Sequence, residues 1–179
     1  MKNLKDFLFE YDTKTLNVED GYKVSGEKDV GEYLYGRCHI FAMVLHEYLG
    51  LPIEIMIDEA PWHDTMGLPS LEHAYCIIND DYVVDARGIR SRKEIIIEYG
   101  ENANELAIVP DCIKLLKEWV NNGAIISPEK TEIEDIKLYI EALKKHKIFA
   151  IAPDDYDDVS LENQLVSILQ DKSKKMKIK

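Results

Sequence analysis

Residues 36–50, GRCHIFAMVLHEYLG, set a thiol between a glycine and a long apolar stripe. Ile40, Phe41, Val44, Leu45, Tyr48 and Leu49 recur at helical intervals on one wide face, and Gly50 supplies a stop signal. The spacing predicts a buried helix over 38–49 with Cys38 in its first turn. After Pro52, Ile53, Ile55 and Ile57 alternate with Glu54, Met56 and Asp58, which predicts a strand with one wet face. LEHAYCII (71–78) and YVVDA (82–86) flank Asn79-Asp80-Asp81 and predict a β-hairpin. A cysteine-bearing helix followed by strands decides the fold class: α+β, with a strand-rich middle between helices.

Around this centre, Leu4, Phe7, Leu8 and Tyr11 suggest a short amphipathic helix, and residues 12–35 and 59–70 read as loops. Ser91 and Glu94 form a possible capping box that opens a helix toward Gly100, although Ile95-Ile96-Ile97 favours a strand on propensity. DCIKLLKEWV (111–120) is amphipathic. Ser127 and Pro128 suit the cap and first position of a further helix with Ile133, Ile136, Leu138, Ile140 and Leu143 on its apolar face. KIFAIA (147–152) reads as an edge strand, and 161–170 as a last helix. One domain is expected over 1–179: a core over 1–110, a helical extension over 111–172 packed on it, and a basic flexible tail over 173–179.

The chain has 22 basic and 34 acidic residues, a net charge of -12 and a pI near 4.9, which disfavours nucleic-acid binding. No apolar run approaches the roughly 18 residues that a membrane span needs. Three cysteines at irregular spacing form no disulfide framework, so a reducing, cytoplasmic setting is expected.

Chemistry converges on three residues. A helix N-terminus and a neighbouring imidazolium both lower a thiol's pKa, so Cys38 is a candidate nucleophile. Its first-turn N–H groups are free to meet an oxyanion. Gly36 leaves room for a substrate. His73, on the first hairpin strand, is the candidate base. With a three-residue loop at Asn79–Asp81, Tyr75 faces Asp85 and His73 lies diagonal to it, roughly 7–8 Å between Cβ atoms and on the same face. A two-residue loop would turn Asp85 away. A carboxylate ending an apolar strand needs a partner, and His73 is the natural one. Cys38 would attack, His73 would act as base and then acid, and Asp85 would orient the ring.

GRCHIFAMVLHEYLGLPI and EHAYCIINDDYVVDARG resemble the core of the transglutaminase-like branch of papain-like cysteine enzymes: Gly-x-Cys opening a helix, His on a following strand, Asp ending the next. The resemblance spans about residues 34–90. It implies a papain-like core, with the Cys-bearing helix packed on an antiparallel sheet, and a cysteine-dependent acyl-transfer enzyme that hydrolyses a peptide or other amide bond, or transfers the acyl group to an amine, in a protein, peptide or amine substrate and without a cofactor. Ala74 and Tyr75 follow His73 where transglutaminases often carry an aromatic residue beside the His. No glutamine is evident for the oxyanion; Tyr33 or Tyr35 is a candidate substitute.

Further candidates surround the centre. Arg37 would bind a substrate carboxylate or point to solvent, and Tyr35 and Tyr75 are candidate substrate contacts. The loop DEAPWHD (58–64) is either solvated surface or a cleft wall for a cationic substrate, with Trp62 against its aliphatic part. Arg87 pairs with a cleft acid or with the helix that follows. Cys76 and Cys112 read as core. A metal site gathered from His39, His46, His63, His73 and a cysteine lacks ligand spacing, so no metal is expected. The rival to an enzyme is a binding or inhibitory protein that keeps the scaffold without turnover and acts through its acidic surface.

Overall fold

In a computed structural model, residues 21–60, 69–101 and 103–145 are described. A two-stranded ladder, β1 (Lys23–Ser25) with β2 (Lys28–Asp29), precedes α1 (Cys38–Leu49). Then follow β3 (Ile53–Asp58), β4 (Ser70–Ile77), β5 (Tyr82–Asp85), β6 (Gly88–Ser91), α2 (Arg92–Gly100), β7 (Leu106–Pro110), α3 (Ile113–Asn121) and α4 (Lys130–Lys145). Strands β6-β5-β4-β3-β7 form one antiparallel sheet. The fold is α+β, with four helices among the described residues.

The central helix has the expected bounds, and Gly50 ends it in the left-handed conformation (φ 65°), its N–H donating to the His46 carbonyl. The hairpin register also follows the sequence. Cys76 pairs with Val84 and Ile77 with Val83, which leaves Asn79–Asp81 as the loop; the Asn79 side-chain oxygen accepts N–H bonds from Asp81 and Tyr82. Strand β3 departs from expectation: all six of its residues are buried. The reason is a second layer. Helix α1 covers the face bearing Ile53, Ile55, Ala74, Cys76 and Val84, while Ile95 and Tyr99 of α2 cover Met56, Tyr75 and Val83. Glu54 is tolerated on the inner face because Arg92 and the Tyr75 hydroxyl both donate to it. Asp58 is buried too, accepting N–H bonds from Ala60, Asn104 and Glu105, so at its start the acidic loop is tied inward rather than solvated.

Capping decides residues 92–100. The Ser91 side chain accepts the Glu94 N–H, and a helix forms in spite of the isoleucine run. Strands β6 and β7 and the β1–β2 ladder were not expected. Helix α4 begins at Lys130 rather than at Pro128, and Tyr139, not Leu138, joins Ile136, Ile140 and Leu143 in the core; Leu138 is 66% exposed. The expected N-terminal helix, the 147–152 strand, the last helix and the tail lie outside the described residues, as do Trp62 and His63. Among the described residues, no helix is long and apolar enough to cross a membrane.

Helix α4 is tied to the start of α1 through Glu132. Its carboxylate, wholly buried, accepts the Tyr33 hydroxyl (2.8 Å), Arg37 Nη1 (2.8 and 2.9 Å) and the Glu129 N–H. Burial opposes ionisation, but these donors hold its pKa below the ordinary 4.5. Removing the carboxylate strands a cation and a hydroxyl in the interior, so Glu132→Ala is expected to cost about 3 kcal/mol in urea unfolding, and Glu132→Gln less. Because the folded pKa is the lower one, this contribution is complete above the unfolded value and is lost as pH falls through the folded value. Titrating the urea midpoint downward in pH checks the sign.

Candidate active site

The β4–β5 ladder runs only through Cys76–Val84 and Ile77–Val83, although β4 continues back to Ser70. The first turn of α1 meets the sheet where the two strands part. The structure brings Cys38, His73 and Asp85 together there, all three buried. His73 Nε2 lies 3.3 Å from Asp85 Oδ2. A carboxylate can only accept, so Nε2 carries the proton and Nδ1 is left for the sulfur.

Asp85 has three donors. The Arg87 backbone N–H bonds Oδ1 (2.8 Å), and Oδ2 takes Arg87 Nη2 (2.9 Å) and His73. Burial alone would raise its pKa; the His73 hydrogen bond and the Arg87 charge drive it well below the carboxylate range. Arg87 satisfies both sequence alternatives, since its Nη1 also bonds Glu98 of α2 (2.8 Å). Tyr99 of α2 stacks flat on the His73 ring, with centroids 3.8 Å apart and planes 4° apart.

Burial pushes the Cys38 thiol up, yet the polar influence of the His39 and His73 imidazoles outweighs it and lowers the pKa to about 6. Burial works against the His73 imidazolium as well, but Asp85 and Cys38 raise its pKa to about 9. The two shifts have one origin: sulfur and ring are each more stable charged beside the other. His39 Nδ1 and His73 Nδ1 are both buried with no hydrogen bond made. Gly36 has φ 141°, a conformation that favours glycine, and nothing lies within 4 Å of where a Cβ would stand. No side chain caps α1, and its first backbone bonds run from Ile40 and Phe41 to the Arg37 carbonyl. The Cys38 N–H therefore has no partner within the helix.

Other expected site residues stand elsewhere. Arg37 is bound to Glu132 and is no free anchor for a substrate carboxylate. Tyr75 is fully buried with its hydroxyl on Glu54, which removes it as a substrate contact. Tyr33 donates to Glu132 and has no proton to spare for an oxyanion. Tyr35 is 67% exposed, its ring 5.9 Å from Tyr99, and so borders the site. Cys76 and Cys112 are core: burial raises both pKa values, Cys112 to about 12, and their thiols donate to the Ala42 and Ile53 carbonyls. Among the described residues, no group of three or more His, Cys, Asp or Glu is arranged to hold a metal ion.

Two residues near the site escaped sequence reasoning. Glu132 and Tyr99 had a readable signal. Glu132 keeps the phase of Ile136, Tyr139, Ile140 and Leu143, and Tyr99 follows Ile95 by one turn. No protein-family model, curated protein or solved structure matches the chain.

Iodoacetamide is expected to alkylate Cys38 with a pH midpoint near 6, well below an ordinary thiol, while Cys76 and Cys112 stay unlabelled in the native protein. Peptide mapping after a pH series of short exposures reads all three sites.

Proposed function

We infer that this chain is a cysteine-dependent acyl-transfer enzyme of the transglutaminase-like kind, hydrolysing a peptide or other amide bond. One observation carries the reading: a buried thiol of depressed pKa, an imidazole of raised pKa and a carboxylate meet at one point, in the order sulfur, ring, acid. A thiol and an imidazole that each favour the other's charged form suit a nucleophile and its base.

In the proposed reaction the Cys38 thiolate adds to the carbonyl carbon. The oxygen takes the negative charge facing the Cys38 N–H. As the tetrahedral adduct collapses, the C–N bond breaks and His73 Nδ1–H protonates the leaving amine. A thioester on Cys38 remains. Neutral His73 then takes a proton from water, whose oxygen attacks the thioester. The C–S bond breaks, the acid leaves and the thiolate–imidazolium pair returns. Asp85 keeps the Nε2 proton throughout, so that Nδ1 is the atom that exchanges. Cys38 is 3% exposed, and the exposed Tyr35 and open Gly36 mark the side from which an acyl group would reach it.

The expected kcat/KM profile is a bell. It rises through about 6 as the thiolate forms and falls through about 9 as the imidazolium loses the proton destined for the leaving group. Screening a fluorogenic peptide and amide library finds a substrate. Cys38→Ser and His73→Ala then abolish its turnover, and Asp85→Asn lowers kcat about a hundredfold or more through the wrong tautomer. Turnover that survives Cys38→Ser overturns the reading.

A further inference from the structure

The last turn of α2 brings Tyr99 onto the candidate base, and the acyl-transfer scheme gives that tyrosine no part. Tyr99 is 6% exposed and lies face to face with His73, ring centroids 3.8 Å apart and planes 4° apart. The other restraints on the imidazole are few. Strand β4 fixes its backbone through the pairing of His73 with Met56. Nε2 has one contact, Asp85 Oδ2 at 3.3 Å, just beyond the usual N–H···O range of about 2.7–3.2 Å. Nδ1 makes no hydrogen bond. The terminal torsion of a histidine is broad, so one long hydrogen bond leaves the ring room to swing. A parallel ring at 3.8 Å removes that room, because any tilt drives an edge of the imidazole into the tyrosine face. The Tyr75 ring, 5.9 Å away and tilted by 39°, is too distant for the same restraint.

Tyr99 is itself held by packing. Ile95, one turn earlier, joins it in the core layer with Met56, Tyr75 and Val83, and the adjacent Glu98 carboxylate accepts from Arg87 Nη1 at 2.8 Å. The Tyr99 hydroxyl is buried with no hydrogen-bond partner, which is a cost and not an anchor. What the site draws from residue 99 is therefore the flat face.

We propose that Tyr99 is a positioning residue for the candidate base: its ring, stacked on His73, locks the imidazole plane so that Nε2 stays on Asp85 and Nδ1 keeps one direction. The purpose of this lock rests on the acyl-transfer reading, but its test does not. The same face favours the protonated ring, since an aromatic face attracts a cation. No proton passes through Tyr99, which acts only through His73. The ionisable groups around the ring and its sulfur partner are Asp85 of β5 with Arg87 and Glu98 behind it, Cys38 and His39 of α1, and Tyr75 of β4, whose hydroxyl donates to Glu54. A change confined to residue 99 removes none of them.

The test compares Tyr99→Phe, which keeps the flat face, with Tyr99→Leu, which removes it. Tyr99→Leu is expected to raise the pH midpoint of Cys38 alkylation by about half a unit, with labelling below pH 6 about threefold slower, because a swinging and less readily protonated ring supports the thiolate less. Tyr99→Phe is expected to label as the unaltered protein does. Thermal unfolding of each variant separates a shifted midpoint from a damaged fold, and Tyr99→Met takes the place of Tyr99→Leu where the latter does not fold. A further readout uses the unaltered protein: the ring current of the stacked tyrosine should move the carbon-bound protons of the His73 ring upfield of their positions in the unfolded chain. An unmoved midpoint in the folded variant without the face, an equal shift in Tyr99→Phe, or His73 protons without the upfield displacement overturns the proposal. Absence of turnover on every amide would sink the acyl-transfer reading while leaving these measurements intact.

Discussion

The Asp85 carboxylate is the constraint on which the site depends. A charge at the end of a buried strand is costly unless donors surround it, and here a single tight turn provides them. Asp85 pairs with Gly88 across the β5–β6 connection, and Gly88 adopts φ 114°, which an L side chain rarely tolerates. The turn brings the Arg87 N–H onto Oδ1 and lets its guanidinium curl back to Oδ2. With those positions filled, His73 completes the shell, and its ring is fixed with Nδ1 outward. The orientation of the candidate base is thus a consequence of satisfying a buried anion.

The same solution recurs. The chain has only four arginines among 22 basic residues, and three of them lie against buried carboxylates: Arg37 on Glu132, Arg87 on Asp85 and Arg92 on Glu54. A tyrosine hydroxyl joins two of these sites, Tyr33 at Glu132 and Tyr75 at Glu54. The lysines with observed partners make ion pairs that are at least partly exposed. The division follows from chemistry. A guanidinium is more weakly hydrated and offers several fixed donors, so it enters the interior at lower cost than an ammonium. A strongly acidic chain therefore spends its arginines on its inward-facing acids.

What the sequence made legible was local. The α1 bounds followed from one apolar stripe and Gly50, and the register that joins His73 to Asp85 followed from the length of the Asn79–Asp81 loop. Side-chain partners across long separations were not legible. Arg37 read as a possible substrate anchor because Glu132 is far away in sequence, and Tyr75 as a contact because nothing marked Glu54 as buried. The alternation in β3 suggested a wet face, which α2 covers instead. Periodicity reports which face is apolar; it does not report that a neighbouring helix will supply a cation to a carboxylate on the other face.

The C-terminal half, read from sequence as an extension on a core, is bonded to that core beside the candidate site. The Ile126 carbonyl sets the tautomer of His39, Glu132 anchors the residue before Cys38, and the Tyr139 hydroxyl bonds the Ala86 carbonyl beside Asp85 (2.8 Å). Each contact acts one residue away from a member of the candidate triad. A helix N-terminus alone lowers a thiol's pKa modestly, and burial works against it. The low value at Cys38 comes instead from two rings whose positions are set by β4, β5 and the connection before α4. The candidate nucleophile is therefore a property of the assembled fold: its short motif supplies the sulfur, and distant segments supply the groups that lower its pKa.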